Sequence, residues 1–272
     1  MLVSVLLLSL GSFSQAQTLG VPERPPAAPT GWEFASRIAS LPLSEREMAI
    51  ARQVKAGNVP AFLRKLCPVK VTLEEAGLTN NATFFVTPDY LAVGSDDDYF
   101  LMPMSPSTAQ ALADTMDCCL PTPRMVDAIY AAATLKLAPM PIPPSRAMTT
   151  VDVFSNHNAI IRTQRLAALP PHPLGELVAG HKKDVVVCAK LASVPGKVAI
   201  YGWHKTNGVP IQPLYLGHTA TWVDYSQCIR LVQQRMVLNG RNTTVAAVLA
   251  DPALAGLLSN EGAISNPRYP AN

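Results

Sequence analysis

Residues 105–126 read SPSTAQALADTMDCCLPTPRMV, and this stretch decides the fold class. It contains two helix starts of the same kind, because Ser105 and Thr122 are each followed by a proline at the first helical position. The first start predicts a helix to about Asp117, and the second predicts a helix to about Leu135. Two helices therefore follow each other directly, joined by a short segment that contains two adjacent cysteines.

The residues before this stretch predict helices and then a group of strands. Ser44 and Glu47 have the spacing of a capping box, which predicts a helix to about Ala56 with Met48 on its buried face. Residues 59–66 predict a second, shorter helix. Runs of β-branched and aromatic residues then predict strands over 69–73, 82–87, 90–93 and 99–102.

The residues after this stretch predict a long helix and a second group of strands. The helix lies at about 158–169, after a proline-rich, extended connection at 138–145. Helices that lead into strands without βαβ alternation favour an α+β fold, with helices packed on an antiparallel sheet. We predict a small N-terminal α+β module over 32–104 and an α+β main domain over 105–272. The predicted elements are strands at 184–189, 197–203, 220–225 and 229–237, and short helices at 243–249 and 251–258.

The composition limits the class of protein. The 272 residues are 49% hydrophobic with a net charge of +3, so the chain has the character neither of a disordered protein nor of a nucleic-acid-binding one. Residues 1–10 are apolar and are followed by Ser14-Gln15-Ala16, which predicts a signal peptide over 1–16 and a flexible leader over 17–31. We therefore expect a secreted or periplasmic protein, with no membrane span after signal cleavage.

The cysteines and histidines narrow the possible chemistry. Five cysteines in an exported protein predict disulfide pairing that leaves at least one thiol over. The five histidines show no pair at i and i+4 and no HExxH motif, so we predict no metal site. The chain also lacks a P-loop and a GxSxG motif, and no cofactor is expected.

The cysteine pair suggests a nucleophile. Cys118 and Cys119 precede the second helix start, whose unsatisfied amides favour a thiolate and can stabilise an oxyanion. A thiolate needs a base, and His218 is preferred because it comes just before a predicted strand. His204 and His157 are the alternatives.

These motifs resemble the papain-like NlpC/P60 hydrolases. Asp117-Cys118 resembles the Asp-Cys motif that starts a helix in that family, and Gly217-His218 resembles its histidine at the start of a strand. The resemblance implies a papain-like catalytic region in which Cys118 attacks a carbonyl and His218 is the base. It also implies that Asp224 or Gln227 orients the histidine. The implied activity is hydrolysis of peptide, amide or ester bonds, in the cell envelope, with a peptide or other acyl substrate.

Other interpretations remain open at this point. Trp203, Trp222 and Tyr201, with His204 and His157, are candidates for a surface that binds a sugar or a peptide, although aromatic residues on strands more often pack in the core. Ser226 beside Asp224 is a second candidate nucleophile. The alternative function is a non-catalytic exported binding or envelope protein with structural cysteines. Lys182 and Lys183 are interpreted as a charged turn before a strand.

Overall fold

The structure is a computed structural model that describes residues 17–75 and 77–269. The predicted signal peptide, 1–16, lies outside the described residues. The α-helices are α1 (Gly31–Ile38), α2 (Leu43–Lys55), α3 (Pro106–Thr115), α4 (Pro123–Ala132), α5 (Val151–Ala168) and α6 (Val245–Ala250). Short 3₁₀ turns lie at Ala61–Leu63, Arg146–Thr149, Ala189–Ser193 and Ala255–Leu257.

The strands are short except for the first two. They are β1 (Cys67–Glu75), β2 (Leu78–Val86), β3 (Ala92–Gly94), β4 (Tyr99–Leu101), β5 (Cys118–Cys119), β6 (Leu135–Lys136), β7 (Val178–Ala179), β8 (Lys183–Val185), β9 (Ile200–His204), β10 (Pro210–Tyr215), β11 (Gln227–Cys228), β12 (Val232–Gln233), β13 (Arg235–Leu238) and β14 (Arg241–Thr244). Helices and mainly antiparallel strands together confirm the α+β class in its coarse form.

The larger sheet joins segments that lie far apart in the chain. Strands β1 and β2 form a long hairpin, and the sheet continues in the order β14-β13-β2-β12-β5. Strand β2 pairs with β13 through Val237 opposite Thr83, and with β12 through Val232 opposite Val86. Strands from both sides of the predicted boundary at 104/105 therefore share one sheet.

The smaller sheet carries the candidate site. Its order is β10-β9-β8-β11, with β8 antiparallel to β9 and parallel to β11. The Asn207-Gly208 turn lies between β9 and β10, as its sequence suggests. Residues 220–225, predicted as a strand, instead form an irregular segment before β11, so His218 does not lead into a strand.

The helix starts at 105 and 122 are confirmed. The side chains of Ser105 and Thr122 accept hydrogen bonds from the backbone of residues 108 and 125, with proline at the first helical position. The capping box predicted at Ser44 is wrong, because α2 begins at Leu43 without a side-chain cap and leaves Met48 59% exposed. A capping box occurs instead at the start of α1, between Thr30 and Glu33.

The segment predicted as a flexible leader is packed against the rest of the chain. Leu19 is buried and its backbone N–H bonds to the carbonyl of Arg64. The Arg24 guanidinium bonds to Asn58 and to the carbonyl of Gly94. These contacts satisfy the extended backbone without regular secondary structure. Among the described helices, none is long and apolar enough to cross a membrane.

Candidate functional site

The structure places Cys118 in the core. Cys118 lies on β5, which pairs with β12, and α4 begins only at Pro123, so the Asp117-Cys118 pair does not start a helix. The Cys118 thiol is 3% exposed and donates to the carbonyl of Met116. Burial, with the nearby Asp117 carboxylate, raises the pKa of Cys118 to about 12. This thiol is therefore protonated at neutral pH.

The predicted disulfide pairing is wrong. All five cysteines lie within the described residues, and all are unpaired. Cys118 and Cys119 are successive strand residues, so their side chains point to opposite faces and enter different apolar clusters. Neighbouring thiols on one strand are thus held apart by the alternation of the backbone.

The histidines have other neighbours, and no hydrogen bond joins a histidine to a cysteine in the part of the chain that the structure describes. His157 is fully buried on α5, and its Nε2 lies 3.0 Å from the carbonyl of Met140. His204 is buried on β9, stacks on Tyr130 and bonds to Asp127. Burial lowers the pKa of His157 to about 2, so this ring stays neutral.

Three of the predicted residues, Trp222, Asp224 and Ser226, do come together, and Lys183 joins them. One Asp224 oxygen accepts the hydroxyl of Ser226 at 2.6 Å and its backbone N–H at 2.8 Å. The other accepts the ammonium of Lys183 at 2.9 Å and the indole N–H of Trp222 at 3.4 Å. Burial would raise the pKa of Asp224, but Lys183 and the Ser226 hydrogen bonds lower it below its usual value. Asp224 is therefore a buried carboxylate with four donors.

His218 stacks on Trp222 at the edge of this arrangement. The two rings lie 5.0 Å apart with an angle of 14°, and Tyr215 meets the His218 ring edge-on at 5.1 Å. Partial burial, with the positive charges of Lys183 and Lys197, lowers the pKa of His218, while Asp224 opposes the shift. The ring is half-buried, and no described residue forms a hydrogen bond to its nitrogens. His218 is thus a neutral imidazole that a ligand can reach.

The backbone around His218 is fixed on both sides. The carbonyl of His218 accepts from the backbone of Val198, and the carbonyl of Gly217 accepts from the Lys197 ammonium. The Gln227 amide donates to the carbonyl of Trp222. We call Lys183, His218, Trp222, Asp224 and Ser226 the His218 cluster. Asp224 thus reaches His218 through Trp222, where sequence analysis expected direct contact.

Trp203 lies beneath this cluster, and Lys183 connects the two. The Trp203 side chain is buried, and the Lys183 ammonium lies 5.7 Å from its ring centre. Of the residues proposed for a binding surface, Trp222 and Tyr201 remain half-exposed, and the Tyr201 hydroxyl donates to Asp127. Trp203 is a core residue, as aromatic residues on strands usually are.

Sequence analysis missed Lys183, which is 5% exposed and lies within β8. It interpreted Lys182 and Lys183 as a charged turn before a strand, but with His181 and Asp184 they lie between two apolar segments, 177–179 and 185–188. Charged residues between such segments need buried partners, because an unpaired buried charge is costly. That pattern was the signal in the sequence from which Lys183 could have been identified.

A second cluster of buried polar residues lies next to the His218 cluster. Arg230 donates to the carbonyls of residues 87, 88 and 178 and lies 4.2 Å from the ring centre of Tyr90. The Tyr90 hydroxyl donates to Asp184, and His181 bonds to Asp89 at 3.0 Å. We call Asp89, Tyr90, His181, Asp184 and Arg230 the Arg230 cluster. It is closed to solvent, since each of its members is at most 3% exposed.

Two searches add no constraint on the site. Within residues 17–75 and 77–269, no group of three or more potential metal ligands is present. Comparisons with protein-family models, curated proteins and solved structures find no match.

Proposed function

We propose that the protein is an acid–base enzyme that acts on a small polar molecule at the His218 cluster, with His218 as the proton acceptor. The main observation in support of this proposal is the state of the His218 ring. The ring is neutral and half-exposed, and it has no hydrogen-bond partner among the described residues. A general base must be unprotonated and within reach of its substrate, and this ring meets both conditions. Ionisable groups with shifted pKa values are concentrated at functional sites, which supports the assignment.

The remaining members of the cluster hold the base in place. Trp222 supports one face of the imidazole, and Asp224 fixes the indole through its N–H. The Lys183 ammonium keeps Asp224 ionised and contributes to the lowered pKa of His218. Trp222, Asp224 and Lys183 are therefore positioning residues, because they act through the His218 ring.

A cysteine nucleophile has less support than this base. The Cys118 thiol is buried, protonated at neutral pH and bonded to a carbonyl. Ser226 is also fully buried, and its hydroxyl donates to Asp224, so it is held as a structural group. We therefore assign no covalent intermediate to the reaction.

Solvent exchange tests the proposal before a substrate is known. The protein is incubated in D₂O with a pool of small hydroxylated and amino-containing metabolites, and deuterium incorporation and new products are followed by mass spectrometry. We expect a change that wild type and Cys118→Ala produce and that His218→Gln does not. His172→Gln is the matched control, because His172 is also half-exposed but bonds to Glu176. If wild type and His218→Gln give the same result for every compound that binds wild type, the proposal is wrong.

A further inference from the structure

A tyrosine beside the His218 ring has a hydroxyl group without a partner. Tyr215, at the end of β10, is 43% exposed, and its ring meets the His218 ring edge-on at 5.1 Å between the ring centres. No described residue forms a hydrogen bond to the Tyr215 hydroxyl. The ring nitrogens of His218 also lack a partner among the described residues, and neither nitrogen is enclosed. The proposed base and an unpaired hydroxyl therefore share one open surface.

Gly217 brings a lysine ammonium to the same surface. A Cβ atom at Gly217 would collide with the Tyr215 hydroxyl, so the tyrosine ring folds back over this glycine. The Lys197 ammonium donates to the carbonyl of Gly217 at 2.9 Å, in an exposed hydrogen bond. Both donors thus contact the residue that directly precedes His218. A small ligand beside the His218 ring can meet both of them.

Backbone pairing fixes the position of Lys197 relative to His218. Lys197 lies opposite Thr219 in an isolated antiparallel bridge, and the backbone N–H of Val198 donates to the carbonyl of His218. The backbone from which the lysine side chain extends is therefore held against the segment that carries the base. A donor that is already positioned loses less entropy when it binds a ligand.

The charges around His218 leave one cation without a counter-ion. The charged groups that influence the ring are Lys183, Asp224 and Lys197. Lys183 and Asp224 neutralise each other in an ion pair of 2.9 Å. Among the described residues, Lys197 has no carboxylate partner, and its ammonium bonds to a neutral carbonyl. An ammonium carries three N–H donors, so two remain for a ligand.

We infer that Lys197 and Tyr215 bind an oxyanion group of the substrate, a carboxylate or a phosphate, beside the His218 ring. This inference rests on the proposed function, since it names the substrate class of the His218 cluster as a small anionic molecule. A hydrogen bond from an ammonium to an ionised oxygen is stronger than a neutral one. A substrate held by its oxyanion at this end has its remaining atoms beside the exposed imidazole, within reach of a general base.

NMR titration with sodium acetate and with sodium phosphate tests the inference. Sodium chloride at equal ionic strength is the reference, because salt screens exposed charges. The backbone amide signals of residues 215–219 give the affinity, and the His218 ring protons give the pKa of the imidazole. A bound anion stabilises the imidazolium, so we expect acetate or phosphate to raise the pKa of His218 above its value in chloride. The anion that binds more tightly identifies the group that the substrate carries.

Variants show which side chains hold the anion. We expect Lys197→Met to bind it at least ~3-fold more weakly, because the exposed charge-assisted hydrogen bond is lost. Tyr215→Phe keeps the ring contact with His218 and should bind the anion about 2- to 10-fold more weakly. Lys190→Met is the matched control, because Lys190 is also exposed, and it should bind as wild type does. Thermal unfolding checks that each variant is folded.

Several results would overturn the inference. They are a His218 pKa that neither anion raises above its value in chloride, unchanged binding to Lys197→Met, or equal weakening by Lys190→Met. His218→Gln separates the two proposals. If it binds the anion as wild type does and wild type exchanges no proton into any anionic compound, the binding site stands and the proposed function fails. If wild type binds neither anion but exchanges protons into a neutral compound through His218, the inference fails and the proposed function stands.

Discussion

The Arg230 cluster and the His218 cluster use the same kinds of residue for different ends. Both receive a charged side chain from β8, where successive residues point to opposite faces. Lys183 enters the His218 cluster, whereas Asp184 enters the Arg230 cluster. In the Arg230 cluster every member is closed to solvent, but in the His218 cluster the rings of His218 and Trp222 remain partly exposed. Buried charge therefore does not indicate function by itself, and access decides between the two.

The largest expected effect on stability is in the Arg230 cluster, which is closed to solvent. Arg230→Met keeps much of the side-chain volume but removes the cation beside Asp184 and the donor to three carbonyls. Breaking a buried charged network by removing one partner costs about 3–5 kcal/mol. We expect that loss in the free energy of unfolding, measured by urea denaturation. A loss below about 1 kcal/mol would show that the Arg230 cluster does not hold the sheets together.

The pH dependence of stability gives the next effect. His157 packs against Tyr225 at 4.8 Å, and its pKa is lowered to about 2 by burial and by Lys182 and His181. In the unfolded chain this imidazole takes up a proton below about pH 6.5, whereas in the folded chain it stays neutral. The unfolded state thus binds more protons, so the free energy of unfolding decreases as the pH falls.

His157→Gln tests this coupling, because the glutamine amide can replace the bond to Met140. Each pH unit below 6.5 contributes up to about 1.4 kcal/mol. We expect the stability of the variant relative to wild type to rise by about 2–3 kcal/mol between pH 6.5 and 4.5. Parallel stability curves for the two proteins would contradict the burial of a neutral His157. Chemical denaturation at each pH is the measurement.

How far these two regions could be predicted depends on the range of the interactions involved. The helix starts at Ser105 and Thr122 and the strands β1 to β4 follow local patterns, and the sequence predicts them. The pairing of β2 with β13 joins residues far apart in the chain, and no local pattern indicates it. The proposed site was anticipated only in part, because sequence analysis named His218, Asp224 and Gln227 for a mechanism that required Cys118, and Trp222 for a binding surface.

The environment of Cys118 differs from the expected one for a physical reason. A cysteine before a helix start was expected to be exposed to the helix amides. Residues between Cys118 and Pro123 instead place Cys118 in a strand, where burial dominates its pKa. The residues next to Cys118 in the sequence could not predict its burial, because the burial of β5 depends on its distant partner β12.

The ion pair of Lys183 and Asp224, in the partly exposed His218 cluster, gives a further test of the comparison. Lys183→Met removes a positive charge that lowers the pKa of His218, so we expect that pKa to rise toward its ordinary value. Asp224→Asn removes a negative charge that raises it, so we expect the pKa to fall further. Both variants should also lose about 1–3 kcal/mol of stability, because each leaves a buried partner unpaired. NMR titration of the His218 ring protons gives the pKa values, and shifts of the same sign would contradict the assignment.

The smallest expected effect on stability is at the proposed base itself. His218 is half-buried, and the described residues form no hydrogen bond to its ring, so His218→Gln loses the ring contacts with Trp222 and Tyr215. Because the Tyr215 ring contact is lost as well, we expect the free energy of unfolding to change by no more than about 1 kcal/mol, while proton exchange into a bound compound disappears. Urea denaturation and mass spectrometry in D₂O measure the two quantities on the same preparation. A loss of stability close to that of Arg230→Met would place His218 among the structural residues, because a group kept for its chemistry should contribute little to the fold.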